Sequence, residues 1–140
     1  MNRGGVRRPL RNIASAEDAI LYLREILQFI ERIESKTNKV DYETFANNID
    51  LIDIVENNLG HIGEAVRVLS TSRSLRDKFY HYHIDWEALK EVRKEIDHGY
   101  FAIDYQSMWK MATKTLPDYK QQFQKILSEL EEKRQQREHR

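Results

Sequence analysis

The chain has 140 residues, 40% of them apolar, which is enough for one compact core but not two, so a single domain is expected. Its 23 Lys and Arg balance 23 Asp and Glu, which excludes an overall bias toward polyanions or anionic membranes and makes any nucleic-acid site local. The absence of cysteine excludes a disulfide framework, a thiolate zinc site and a cysteine nucleophile.

That composition suits a reducing cytoplasm, the expected location. No apolar segment follows the basic N-terminus, and no stretch approaches the ~18 apolar residues that a membrane span needs. Residues 1–14 carry Arg3, Arg7, Arg8 and Arg11 ahead of the first acidic side chain, Glu17. Gly4, Gly5 and Pro9 leave this arm without a helical pattern, so a loose basic tail is expected rather than an RNA-gripping element.

From residue 15 to 128 apolar residues recur at helical spacing, which predicts an all-α, antiparallel bundle of four to six helices. Ser15 and Asp18 start the first helix, with Ile20, Leu23, Leu27, Ile30 and Ile33 on one stripe. Asp41 caps a short helix through Tyr42 and Phe45. After Asn47 and Asn48 comes a longer helix whose face holds Ile52, Val55, Leu59, Ile62, Val66 and Leu69. Residues 70–83 read as a polar and aromatic connector. Asp85 then caps a helix that turns Trp86, Leu89, Val92 and Ile96 inward, and Gly99 stops it. Asp104 restarts helix, and Pro117 divides that segment from a last helix carrying Phe123, Ile126, Leu127 and Leu130. Residues 129–140 mix four acidic with four basic side chains, as in a solvated, fraying helix end.

Chemistry concentrates between Glu91 and Phe101, where a helix breaks. A bare Arg-x4-His spacing occurs three times, at Arg76/His81, Arg93/His98 and Arg134/His139. Only the middle pair ends a well-capped helix, has a glycine beside the histidine and continues to Tyr100. Five helical positions set two side chains about 140° apart around the axis, so Arg93 and His98 converge within one chain only if the backbone leaves the helix near His98. Arg93 can fork onto phosphate oxygens and His98 can exchange protons near neutral pH, a pairing suited to metal-free RNA cleavage. One histidine cannot easily be both base and acid, which favours a two-fold dimer with the motif at its interface. The plainer reading is that Arg93 pairs with a nearby Glu and His98 caps the helix C-terminus. His81 and His83, with no carboxylate ligand set nearby, read as loop decoration rather than a metal site.

Over residues 16 to 127 the chain resembles the HepT-like HEPN family, formerly a domain of unknown function numbered 86. The resemblance rests on the first amphipathic helix, Ile62-Gly63-Glu64-Ala65-Val66, Ile84-Asp85-Trp86, the motif Arg93, His98, Tyr100 and Phe101, and Leu116-Pro117, in that order. It implies a ribonuclease toxin that needs no metal or other cofactor, dimerises through its motif helices with Arg93 and His98 catalytic, and acts on an RNA such as tRNA or mRNA. It further implies a neighbouring nucleotidyltransferase antitoxin of the MntA type that AMPylates Tyr100. The chain departs from the family pattern at Lys94, which would add phosphate affinity, and at Asp97, which would repel phosphate or favour protonated His98. Glu64 is a further auxiliary candidate. The alternative reading is a non-catalytic subunit that presents substrate to the nucleotidyltransferase.

Overall fold

The computed structural model describes residues 16–98 and 104–138, and the regular structure among these is entirely helical, without a strand. Helix α1 (Ala16–Thr37) opens with Glu17 and Asp18, which favour its positive end. It buries Ile20, Leu23, Ile26, Ile30 and Ile33 almost completely. Asp41 caps α2 (Tyr42–Ala46) by accepting from the Thr44 N–H at 2.8 Å, and this short turn drives Phe45 into the core. Asn48 caps α3 (Ile49–Leu69) in the same way, accepting from the Leu51 N–H. Helix α3 is the central element, packed against α1 on one side and α5 on the other.

The stretch expected to be a connector contains a helix, α4 (Arg73–His81). Ser72 caps it, and Leu75 and Phe79 form its buried stripe, Phe79 meeting Phe123 edge-on at 5.8 Å. Two apolar residues one turn apart suffice here because tertiary packing, not periodicity, holds so short a helix. His83, at φ 62°, makes the left-handed turn into α5. Asp85 caps α5 (Trp86–Asp97) through the Ala88 N–H. Trp86, Leu89 and Val92 are buried as expected, while Ile96 is only partly covered.

Helix α6 (Tyr105–Lys110) starts at Asp104. Pro117 does not end it. Met111–Thr115 widens into a π-turn in which the Leu116 N–H donates to the Met111 carbonyl, and α7 (Leu116–Glu138) continues from there. Proline lacks an N–H and its ring collides with the carbonyl four residues back; the wider turn relieves both problems without breaking the rod. Arg24–Glu131 and Lys120–Glu34 ion pairs tie α1 to α7. Lys78 and the Tyr82 hydroxyl both reach Glu129 from the α4 side. No helix among the described residues is long and apolar enough to cross a membrane.

Candidate functional site

The site begins where α5 crosses α3. A Cβ on Gly63 would stand 2.8 Å from the Leu89 carbonyl oxygen and 2.9 Å from Arg93 Cβ, so only glycine lets the α5 backbone lie this close. The contact fixes the root of Arg93. From there the guanidinium, half exposed, reaches Glu64 at 3.4 Å. Glu64 also accepts two hydrogen bonds from Arg67, at 3.0 and 2.8 Å, and these raise the Arg67 pKa. One carboxylate therefore orients two arginines. Ion pairs this exposed contribute about 0–1 kcal/mol each, so moving Arg93 from Glu64 to a phosphate costs little.

His98 closes α5. Its backbone N–H and its Nδ1 both meet the Lys94 carbonyl, at 3.2 and 2.8 Å. A carbonyl can only accept, so Nδ1 carries the proton and, in the neutral ring, Nε2 carries the lone pair. The plainer reading of the motif is thus part of the structure: Arg93 is paired with a Glu and His98 caps the helix. Because α5 stays helical through Asp97, Arg93 and His98 leave its axis about 140° apart, and no bend before His98 turns them toward each other. Lys94 is exposed beside Arg93. The side chain of Asp97 and the whole of Tyr100 lie outside the described residues.

Sequence reasoning named Glu64 but missed Arg67, although their spacing of three on α3 was a legible ion-pair signal. It also missed a groove of about 400 Å³ between α1 and α3, bounded by Tyr22, Phe29, His61 and Glu64 among others. Phe29 and His61 stack there at 5.0 Å. Burial, with Glu25, Asp18 and Glu64 nearby, pushes the Tyr22 phenol pKa up.

Residues 26–126 match the family described as Ribonuclease HepT-like, a span that contains Gly63, Glu64, Arg93, His98 and Tyr100. The chain belongs to the HepT-like ribonuclease family. Two proteins of Methanocaldococcus jannaschii, both provisionally named as RNases, are 35% and 33% identical to it over 83% of this chain, covering 97% and 93% of their own lengths. A protein of Thermococcus cleftensis, provisionally named ribonuclease HepT, is 30% identical over 75% of this chain and 92% of its own. No solved structure matches the chain. The HepT-like assignment agrees with the all-α bundle and with the family resemblance read from the motif residues.

Proposed function

We propose that this HepT-like chain is the toxin of a toxin–antitoxin pair, a cytoplasmic endoribonuclease that cuts RNA without a metal in a cleft shared by two protomers. The observation that carries this reading is the His98 tautomer: with Nδ1 donating to the Lys94 carbonyl, Nε2 holds the lone pair a general base needs. Nε2 of one protomer takes the proton of a ribose 2′-hydroxyl as that oxygen attacks the adjacent phosphorus. Arg93 offsets the charge gathering on the phosphoryl oxygens, and Lys94 adds to the local positive field. The P–O5′ bond breaks, and the departing 5′-oxygen takes a proton from His98 of the second protomer in its imidazolium form. The products are a 2′,3′-cyclic phosphate and a 5′-hydroxyl. The divergence of Arg93 and His98 on a continuous helix supports a site assembled from two chains.

Silencing follows through Tyr100. An MntA-type nucleotidyltransferase would place AMP on its phenol oxygen, and the new phosphodiester would compete for Arg93 while the nucleotide filled the cleft. Purified protein should sediment near twice 16.8 kDa and cleave tRNA or mRNA in EDTA with cyclic-phosphate ends. Arg93→Ala and His98→Ala should each lower the rate by roughly 10²–10⁴-fold while staying folded; wild-type rates in both would overturn the assignment. Incubation with the antitoxin, ATP and magnesium should add AMP at Tyr100, and Tyr100→Phe should cut RNA yet escape silencing.

The Arg93–Glu64 pair and the His98 cap are what favour the second reading, a non-catalytic subunit of the nucleotidyltransferase. It expects tight binding of that enzyme and no growth arrest on expression. Growth arrest that depends on His98 excludes it.

A further inference from the structure

The stretch of α5 ahead of Arg93 carries a second set of groups that the motif does not use. Trp86, Lys90 and Arg93 are spaced four and three residues apart, which stacks them on one face of the helix. Trp86 is itself buried. Its ring supports two neighbours: the Lys90 ammonium lies 4.4 Å from the ring centroid, and Tyr80, from the end of α4, meets it edge-on at 6.1 Å and 80°. Tyr80 is 63% exposed, one of few large apolar side chains left open to solvent among the described residues. Its contact with the indole leaves much of the ring open to a ligand. Glu87 touches Lys90 only loosely, at 3.8 Å.

An exposed aromatic ring and a lysine gathered on one indole form the kind of surface that binds single-stranded nucleic acid, since every base has a face to stack and every linkage has a phosphate. Three helical residues separate Lys90 from Arg93 by about 4.5 Å along the axis, a short step along a strand whose scissile phosphate sits at Arg93. We propose that this face is a single-stranded RNA subsite in which a base flanking the cleavage point stacks on Tyr80 while Lys90 holds its phosphate. The inference rests on the ribonuclease reading for the position of the scissile phosphate. Its own content is the binding of a flanking nucleotide outside the motif, independent of base identity.

Binding of a fluorescein-labelled oligoadenylate to the full-length His98→Ala chain, followed by anisotropy at several salt concentrations, tests it. Tyr80→Ala should weaken binding roughly tenfold and Tyr80→Trp should preserve it. Lys90→Gln should lower the salt slope by about one. Circular dichroism verifies folding, and Tyr80→Trp remains informative if the alanine variant is unstable. Unchanged affinity and salt slope in these variants would overturn the subsite while leaving cleavage at His98 untouched. So would failure of oligoadenylate to bind a protein that cuts structured RNA. A dimer that dissociates on Tyr80→Ala, with RNA affinity per dimer unaltered, would make the face a protein interface and overturn it too. Loss of cleavage in no motif variant, by contrast, removes the ribonuclease reading itself.

Discussion

Helix α3 meets α1 and α5 along two long seams that are built differently. Toward α1 the buried contact is an apolar stripe, with Ile20, Leu23, Ile26, Ile30 and Ile33 at 0–1% exposure, and polar groups such as His61 stand at its edge. Toward α5 the helices come together at a glycine, and polar groups begin where the contact ends: Glu64 and Arg67 on one side, Arg93 and Lys94 on the other. The first seam supplies stability and tolerates some change in spacing. The second sets where a guanidinium stands, so small errors there are errors in the site.

The first way to test this contrast is to damage the structural seam. Ile30→Ala should cost about 2–5 kcal/mol, the transfer of a buried side chain plus the cavity left behind. Chemical denaturation measures that loss, and cleavage at a temperature where the variant is still folded should remain near wild type. An activity loss larger than the unfolded fraction would show that α1 has a direct part in the site.

Gly63→Ala should give a smaller loss of stability and a larger loss of function. The new methyl meets the Leu89 carbonyl and the root of Arg93, which are backbone and Cβ and cannot rotate away. Helix α5 must move by several tenths of an ångström, at about 1–3 kcal/mol, and Arg93 moves with it. If Arg93 is the phosphate clamp proposed above, cleavage measured well below the melting temperature should fall at least tenfold, since a displaced clamp loses alignment. Gly60, one turn earlier on the same helix, is the control. A Cβ there would make only ordinary contact with Ile96, at 3.8 Å, so Gly60→Ala should stabilise by up to about 1 kcal/mol from helix propensity alone and leave cleavage unchanged. Equal effects of the two substitutions would show that the close crossing at Gly63 has no special role.

The two seams also differed in how far they could be read from sequence. The α1 and α3 stripes are legible because many apolar residues repeat at helical spacing, capping by Asp41 and Asp85 was legible from residue type and position, and Asn47 and Asn48 marked the start of α3. Helix α4 was not, because it offers only Leu75 and Phe79 and depends on Phe123 from far along the chain. The π-turn was misread as a break because Pro117 announces trouble for a helix without saying how it is resolved. At the site, Gly63, Glu64 and Arg93 could be picked out, but the meeting of Glu64 with Arg93 is a product of the crossing. The groove between α1 and α3 needed both helices in place before its walls existed.

The smallest effect should come from a contact outside both seams, the clamp that joins α4 to α7. Lys78 donates to one Glu129 oxygen at 2.7 Å and the Tyr82 hydroxyl donates to the other. These bonds, Lys78 first and Tyr82 second, hold the Glu129 carboxyl below its ordinary range. The folded pKa thus lies below the unfolded one, near 4.3, so the ionised form favours folding. Its contribution is fully present above that unfolded value and fades as pH falls through the folded one. Glu129 is about one-third exposed, and solvent screening limits the Lys78–Glu129 pair to about 0.5 kcal/mol. Glu129→Gln should therefore lower the melting temperature by about 1–2 °C at pH 7, less in high salt, and progressively less as falling pH protonates the wild-type carboxyl. A loss that did not shrink as pH fell would mean that the side chain works by packing α4 onto α7 rather than by charge, and would place this contact with the apolar seam of α1.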